Sequence, residues 1–560
     1  MTEDFEHEEI IHETDVLILG SGAAGCGAAM AAAEQGMRTM MVDRGLLESS
    51  GSLGGGNDHF LAVMHTDEKT DSENAIVRTF CSDASGYRPS HIREWVSIMP
   101  RMIHLLEKLG IELIRNPDGT YYRTTGFGHP GAWFINIKNG QFIKRRLGRH
   151  IRQMGVDVVD HVMITRLISD GDRVTGAMGF HVLDGSFHIF RARAVVLAFG
   201  YSTGRVSTNS TGNPYNIQHY PYNTGSQYVL PYQAGAAVLG LDVRQAASLC
   251  PKSFGCPGMN GIAGSGSKAI NAHGEKYMHK YHPMEEQGPR HLLSMGTHIE
   301  LTEGSGPPFY MDMRHLEPSL RRHLQYNLMP GDKSTWLEYC AQRGVDFEHH
   351  PMEVEISDLD FSGLVQADDE FSSTMPGLFV GSMFGFFSGA ICCGFAAGRH
   401  AAHYAAQHAG EPFPAGDDQK LREEKARVFR PLHRENGLYF RKFEDAIRQV
   451  MSYYMGFVRN EEGIRLAVRR LEYIEEHAAS IRAGNLHELT SANESLHLLQ
   501  ACLLNTKATL ERKESGRSAY RRSDYPEQDS WYDDKILVTR QKNGRPEFSW
   551  LTWNPDLPAI

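Results

Sequence analysis

Asp15-Val16-Leu17-Ile18-Leu19-Gly20-Ser21-Gly22-Ala23-Ala24-Gly25 is the stretch that decides the fold class. The apolar run ending at Leu19 reads as a buried parallel strand. The alanine-rich stretch from Cys26 to Gln35 is a strong helix former, and Gly36 suits its C-terminal cap. A second strand, Arg38 to Val42, ends in Asp43. Strand, glycine loop, helix and second strand in this order make the front of a dinucleotide-binding βαβ unit. Gly20 permits the tight turn, Gly22 lets backbone approach a pyrophosphate, and Gly25 allows close helix–strand packing. Ser21, Ala23 and Ala24 share that turn, where free N–H groups and the positive end of the helix face phosphates. Asp43 stands where a carboxylate accepts hydrogen bonds from an adenosine ribose, with Arg44 beside it. This loop alone does not separate FAD from NAD.

The surrounding chain has 560 residues, more than one core serves, so about two to four domains are expected. Its 41% hydrophobic and 22% charged residues exclude a disordered chain. A formal charge of -11 argues against a general nucleic-acid surface. The acidic start lacks the basic and apolar regions of a signal peptide, and no apolar run approaches the roughly 20 residues of a membrane helix. A cytoplasmic location is the expectation. The eight cysteines, at 26, 81, 250, 256, 340, 392, 393 and 502, are too sparse for a disulfide scaffold. None has the close Cys-x-x-Cys spacing of an iron–sulfur or structural zinc site, so no metal is expected on this chain.

Later segments favour a flavin. Ser50-Gly51 and Gly54-Gly55-Gly56-Asn57 form a glycine-rich stretch whose backbone can lie against a ligand and donate N–H groups. Arg173 to Phe180 and Ser186 to Phe190 read as a hairpin around Asp184-Gly185. It feeds an apolar strand ending at Ala198-Phe199-Gly200, the strand that a split nucleotide-binding domain sets beside its flavin. A third piece runs from Met375 to Gly381, then through a glycine-containing stretch from Ser388-Gly389-Ala390 to Gly394 and Gly398, followed by a helix reaching about Ala406. Strand, glycine loop and helix N-terminus again suit the ribityl and pyrimidine groups of FAD.

The chain resembles the fumarate reductase/succinate dehydrogenase flavoprotein superfamily, most closely the alpha chains of adenylylsulfate reductases within it. The resemblance is carried by the N-terminal fingerprint with Leu47-Glu48-Ser49-Ser50-Gly51, by Tyr222 to Tyr228 with Gln233 to Ala236, by Gly304 to Asp312, and by Arg512 to Arg517 with Arg522 to Pro526. It implies an α/β fold: a split Rossmann-like FAD-binding domain, an inserted α+β capping domain and a C-terminal helical domain. On this chain these map to residues 1–200 and 351–416 for the FAD domain, 201–350 for the cap, and 417–560 for charged amphipathic helices and a tail. The resemblance also implies an FAD-dependent oxidoreductase supplied with electrons by a ferredoxin-like iron–sulfur subunit. Two activities follow from it: reduction of adenylylsulfate or an altered small substrate, and dehydrogenation or ene-reduction of an organic acid or ring compound. A flavin-bearing electron carrier without its own substrate is the non-enzyme alternative.

Covalent-flavin members carry histidine where this chain has Gly51, so FAD is expected to be held non-covalently. Where adenylylsulfate reductases have a histidine in the later glycine loop, this chain has Cys392-Cys393. In the cap, Lys252 stands where those enzymes supply an arginine, and a point charge does not replace a bidentate fork. Tyr520, after Arg517, replaces a histidine near the C-terminus. The proton-handling candidates are therefore Lys252, His129, Arg517 and Tyr520. Trp133 could stack on a substrate ring or pack in the core.

Overall fold

A computed structural model describes residues 7–558 except 83, 127–128, 208–212, 216, 218–219, 247–248, 255–258, 334, 358–359, 415 and 517–519. Its central element is strand β1 (Glu9–Leu19), whose inner end, Val16 to Leu19, is completely buried. Burying side chains of this size contributes about 1.5–3 kcal/mol each. Helix α1 (Ala23–Glu34) and strand β2 (Thr39–Val42) follow, and β2 lies parallel to β1 with Leu19 opposite Val42. β1 begins at Glu9, not Asp15. Its outer half alternates between exposed and half-buried residues and pairs with the start of a later strand, so it lacks the apolar run that marks the inner half.

Helix α2 (Pro89–Lys108) packs on the same layer, and strand β3 (Asp157–Val159) pairs with β2. Strands β4 (Val162–Asp170), β5 (Arg173–His181) and β6 (Phe187–Leu197) form an antiparallel meander. The β5–β6 turn falls at the hairpin expected around Asp184-Gly185. The far end of β6 runs parallel to β1, and strand β7 (Leu378–Val380) lies parallel to it on the other side. The sheet order is β3-β2-β1-β6-β5-β4, with β7 beside β6. Chain continuity is broken between β6 and β7 and spatial continuity is not, which is the split expected of the domain.

Helix α3 (Phe387–Gln407) enters after β7 and packs on α1 backbone to backbone. A Cβ on Gly394 would meet the Ala24 carbonyl oxygen at 2.1 Å, and one on Gly398 would meet that of Ala28 at 2.3 Å. Only glycine admits this approach.

The inserted unit has its own four-stranded sheet, Leu249–Pro251, Met352–Ile356, Phe309–Asp312 and Lys268–Ile270, over a separate core including Met311, Trp336 and Val354. This core is shorter than the expected 201–350 span. Residues 226–241 pack instead on the long helix α4 (Leu486–Glu511) and on the tail hairpin Lys535–Lys542/Arg545–Thr552. Val238–Leu239 pairs directly with Lys535–Lys542, because the apolar face of Tyr228, Val229 and Val238 needs that cover. α4 is also not the charged amphipathic helix expected of this region. It is buried on most sides, and its polar residues are satisfied by neighbours: Asn505 Nδ2 donates to Leu241 O at 3.0 Å and Oδ1 accepts from Tyr228 OH at 2.8 Å.

Candidate active site

The C-terminal ends of β1, β2, β6 and β7 lie on one edge of the sheet, where ligands of open α/β folds bind. A cavity of about 1010 Å³ opens there, at the top of the ~300–1,000 Å³ range usual for ligand sites. Its floor at one end is the first glycine loop. Gly20 (φ +104°) has no room for a side chain, since a Cβ would meet Ala198 O at 2.3 Å. Gly22, Ala23 and Ala24 line the cavity, and a Cβ on Gly22 would meet no protein atom within 4 Å. That opening is the cradle a pyrophosphate requires. Gly25 lies behind, pressed on Gly20 O.

Asp43 lines the wall, with its carboxylate organising three loops. Oδ2 accepts from Ser21 N and Oγ at 2.7 and 2.9 Å, and Oδ1 from Gly45 N and Ser50 Oγ at 2.7 and 2.8 Å. Ser21 and Ser50 thus serve as Asp43 partners from behind the wall. Arg44 lines the cavity, lies over the Tyr222 ring at 4.5 Å and pairs with Glu494 from α4. Gly51, Gly56 and Asn57 also reach the cavity, and Gly51 (φ +76°) presses on Gly22 so closely that a Cβ would lie 3.1 Å from its Cα. Gly54 packs on Ser49 O, and Gly55 is exposed outside the cavity.

Ala198, Phe199 and Gly200 line the middle, where Gln227 and Ser382 take the Phe199 and Gly200 N–H groups. From the third segment, Ala390 and the turn Phe384 to Phe387 face the cavity, presenting the start of α3 to it. Ser388 does not line it: its Oγ accepts from Trp95 Nε1 at 2.8 Å in the core. Gly389 packs on the Phe384 ring, and Gly381 on Leu197 O.

Basic residues line the same cavity, together with the carboxylates of Asp58, Asp360 and Asp533. Arg244, Arg290, Arg512 and Lys535 line it with His291. Arg290 and His291 open the helix Arg290–Thr302 of the inserted unit, after Pro289 at its N-cap. Burial lowers the His291 pKa, so its imidazole is held towards the neutral form. Arg512 is clasped by Asp242 at 2.6 Å and Glu514 at 2.7 Å.

The three proton-handling candidates among the described residues are not brought together there. Lys252 pairs with Glu355 at 3.2 Å on the inserted sheet, away from the cavity lining. His129 lies among the rings of Phe80, Trp133 and Phe386, and burial pushes its pKa down to about 3. Tyr520 is fully buried and donates to Asp242 O at 3.0 Å. Arg517 lies outside the described residues. Trp133 is core, with Nε1 donating to Thr70 O at 2.8 Å. Cys392 and Cys393 are buried in α3, and burial raises both thiols well above the usual range, which disfavours the reactive thiolate. The cavity-lining cations escaped sequence reading because nothing local distinguishes Arg244. Gly288-Pro289-Arg290-His291, a helix start with adjacent basic residues, was the one available signal for the other pair.

Comparison with known proteins agrees with this geometry. The FAD binding domain family matches residues 15–414, and the fumarate reductase flavoprotein C-terminal family matches residues 444–556. The chain is 26% identical to a subunit of the fumarate reductase (CoM/CoB) of Methanothermobacter marburgensis, over 97% of this chain and 99% of that one. It is 27% identical to the alpha chain of the adenylylsulfate reductase of Megalodesulfovibrio gigas, over 56% and 53% of the two chains. Among solved structures, the adenylylsulfate reductase of Archaeoglobus fulgidus superposes with a TM-score of 0.86 at 22% identity, covering 99% of this chain and 97% of that one. The E. coli quinol fumarate reductase flavoprotein gives 0.82 at 20%, covering 98% of each chain. Glycine cradle, split sheet and matched families together make this chain an FAD-dependent oxidoreductase of the fumarate reductase/succinate dehydrogenase flavoprotein superfamily.

Proposed function

We propose that the chain is the catalytic flavoprotein component of an oxidoreductase acting on a small anionic organic substrate, with FAD held non-covalently. The observation that carries the reading is that Arg244, Arg290, Arg512 and Lys535 line the same cavity as the glycine cradle. FAD, when bound, supplies hydride transfer to or from a substrate over its ring. The first glycine loop and α1 hold the pyrophosphate, the Asp43 end takes the adenosine, and the start of α3 turns its positive dipole end towards the flavin pyrimidine. The cations orient an anionic substrate, and Arg290 and His291 are the groups placed to handle its proton. Gly51, with no side chain and no room for one beside Gly22, supports a non-covalent cofactor.

An organic acid fits better than adenylylsulfate. The match to the CoM/CoB fumarate reductase chain spans both chains almost completely, and Lys252 is paired with Glu355 away from the cavity. Both of these relatives are named as single subunits of their enzymes, which supports a multi-chain enzyme here, and a ferredoxin-like iron–sulfur subunit is the proposed electron partner. The test is anaerobic. Protein whose flavin has been reduced with dithionite should recover its yellow absorbance on adding fumarate or another unsaturated carboxylate. Recovery with no such acid, together with bleaching of the oxidised protein by sulfite plus AMP, would replace this reading by adenylylsulfate chemistry.

A further inference from the structure

Arg244 is a deep cation with no carboxylate paired to it among the described residues. Its Nη1 donates to the hydroxyls of Tyr87 and Tyr201, each at 3.1 Å, and its Nη2 donates to the Ser85 carbonyl. A guanidinium has five N–H donors. Nε–H and the second Nη2–H therefore have no acceptor among the described residues. Its neighbours differ. Arg205 pairs with Glu444 and Glu494, Arg512 with Asp242 and Glu514, and Arg522 with Asp524. Arg459 also lacks an acid there but stands behind the wall, spent on Gln245, Met455 O and Gly456 O. Arg244 is on the wall. A buried charge is strongly disfavoured without a partner, and on a cavity wall the missing partner is a ligand.

The supports of Arg244 divide into two kinds. Tyr87 passes its own proton to Met383 O at 3.0 Å, so it is a brace, with its ring stacked on Phe384 and 4.8 Å from the guanidinium carbon. Tyr201 accepts from Arg244, and its hydroxyl stands beside that of Tyr87, to which it can donate until a ligand takes its place. It follows Gly200 at the end of β6 and lines the cavity, with its ring against Gly385, just before α3. The Tyr201 hydroxyl and an open guanidinium edge thus share one wall of the cavity.

We propose that Arg244 and Tyr201 are the anchoring pair for a carboxylate of the substrate. The Nε–H and Nη2–H of Arg244 take the carboxylate oxygens, and the Tyr201 hydroxyl donates a further hydrogen bond to the same group. A planar fork matches a planar carboxylate, and Tyr87 with the Ser85 carbonyl fixes the plane of that fork. Arg512 cannot serve equally, because Asp242 and Glu514 already occupy it. This inference rests on the small-anion reading of the site and names the residues that select for it.

The experiment titrates succinate into the FAD-loaded protein and follows the flavin absorbance, with steady-state KM and kcat for fumarate in parallel. Arg244→Met should raise the succinate Kd by roughly 10- to 100-fold, the loss expected for a charge-assisted pair, and Tyr201→Phe should raise it less. Both variants should keep their FAD and still be reduced by dithionite, and KM should rise more than kcat falls. Succinate binding unchanged in an FAD-loaded Arg244→Met would overturn the anchor and leave Arg244 as a brace between the Ser85 turn and the cavity wall. Should that variant not fold, Arg244→Lys and Tyr201→Phe decide by the same readout: wild-type succinate affinity in both overturns the proposal. Wild-type protein that binds no carboxylate at all overturns the small-acid reading itself, an outcome separable from failure of the anchor because it needs no variant.

Discussion

Gly22 and Gly394 both belong to cofactor segments, yet a methyl group at each would do opposite things. At Gly22 the backbone (φ -62°) suits any residue and a Cβ meets no protein atom, so Gly22→Ala should leave the thermal stability of the FAD-free protein within about 0.5 kcal/mol. Its effect should fall on FAD affinity, measured by fluorescence titration, because the methyl occupies the phosphate cradle. His91 gives a pH prediction. Its Nδ1 accepts from Arg88 N–H at 3.3 Å and its Nε2 lies 2.7 Å from Asp368 O, an arrangement that needs the neutral ring. Burial, with a further push from Arg88, lowers its pKa from 6.5 to about 4, against smaller opposing effects from Asp368 and Asp369. The unfolded chain takes up this proton first, so the stabilisation is complete above pH 6.5 and is lost as the pH falls towards about 4. The loss is about 3 kcal/mol at its limit, and His129 acts in the same direction. Melting temperatures from pH 7 to pH 4 should fall, and less steeply in His91→Gln; equal slopes would refute the assignment. The cavity-lining residues with a local signature in the sequence are Gly20, Gly22 and Asp43, set apart by their spacing. Arg244 has none, because its tyrosine partners come from Tyr87 and Tyr201, remote in sequence and adjacent only after folding.

At the scale of elements, β1, α1 and β2 were readable because strand, turn and helix follow one another without interruption. The third cofactor segment was readable in kind but not in detail. Its glycines looked like a ligand loop, whereas Gly394 and Gly398 serve the contact between α1 and α3. Gly394→Ala should therefore destabilise the protein by about 1–3 kcal/mol, since its Cβ meets a backbone oxygen that cannot move aside alone. A thermal melt of the FAD-free protein checks this, and a wild-type value would show that the helices can separate freely. The character of α4 was hidden for another reason. Asn493, Asn505 and Thr509 are polar residues whose partners are buried carbonyls and side chains, so hydropathy alone made an internal helix look amphipathic.

Across the whole molecule, the C-terminal helices complete the cofactor cavity. Glu494 of α4 pairs with Arg44 on the cavity wall and with the fully buried Arg205, which also faces Glu444 at 3.6 Å. Glu494→Ala leaves Arg44 without its acid and the buried Arg205 with Glu444 alone, and a loss of about 3–5 kcal/mol is expected, with weakened FAD binding, measured by denaturant unfolding with and without FAD. No helix among the described residues is long and apolar enough to cross a membrane. The central claim, that the glycine cradle and the basic residues lining the same cavity form one site for FAD and a small anion, is tested most directly by anaerobic reoxidation. Dithionite-reduced, FAD-loaded protein is mixed with fumarate, and the flavin absorbance is followed in wild type and Arg290→Met. The expected result is return of the yellow flavin in the wild type, greatly slowed in the variant. A reduced flavin that no unsaturated carboxylate reoxidises, or one reoxidised equally fast in both proteins, would contradict it.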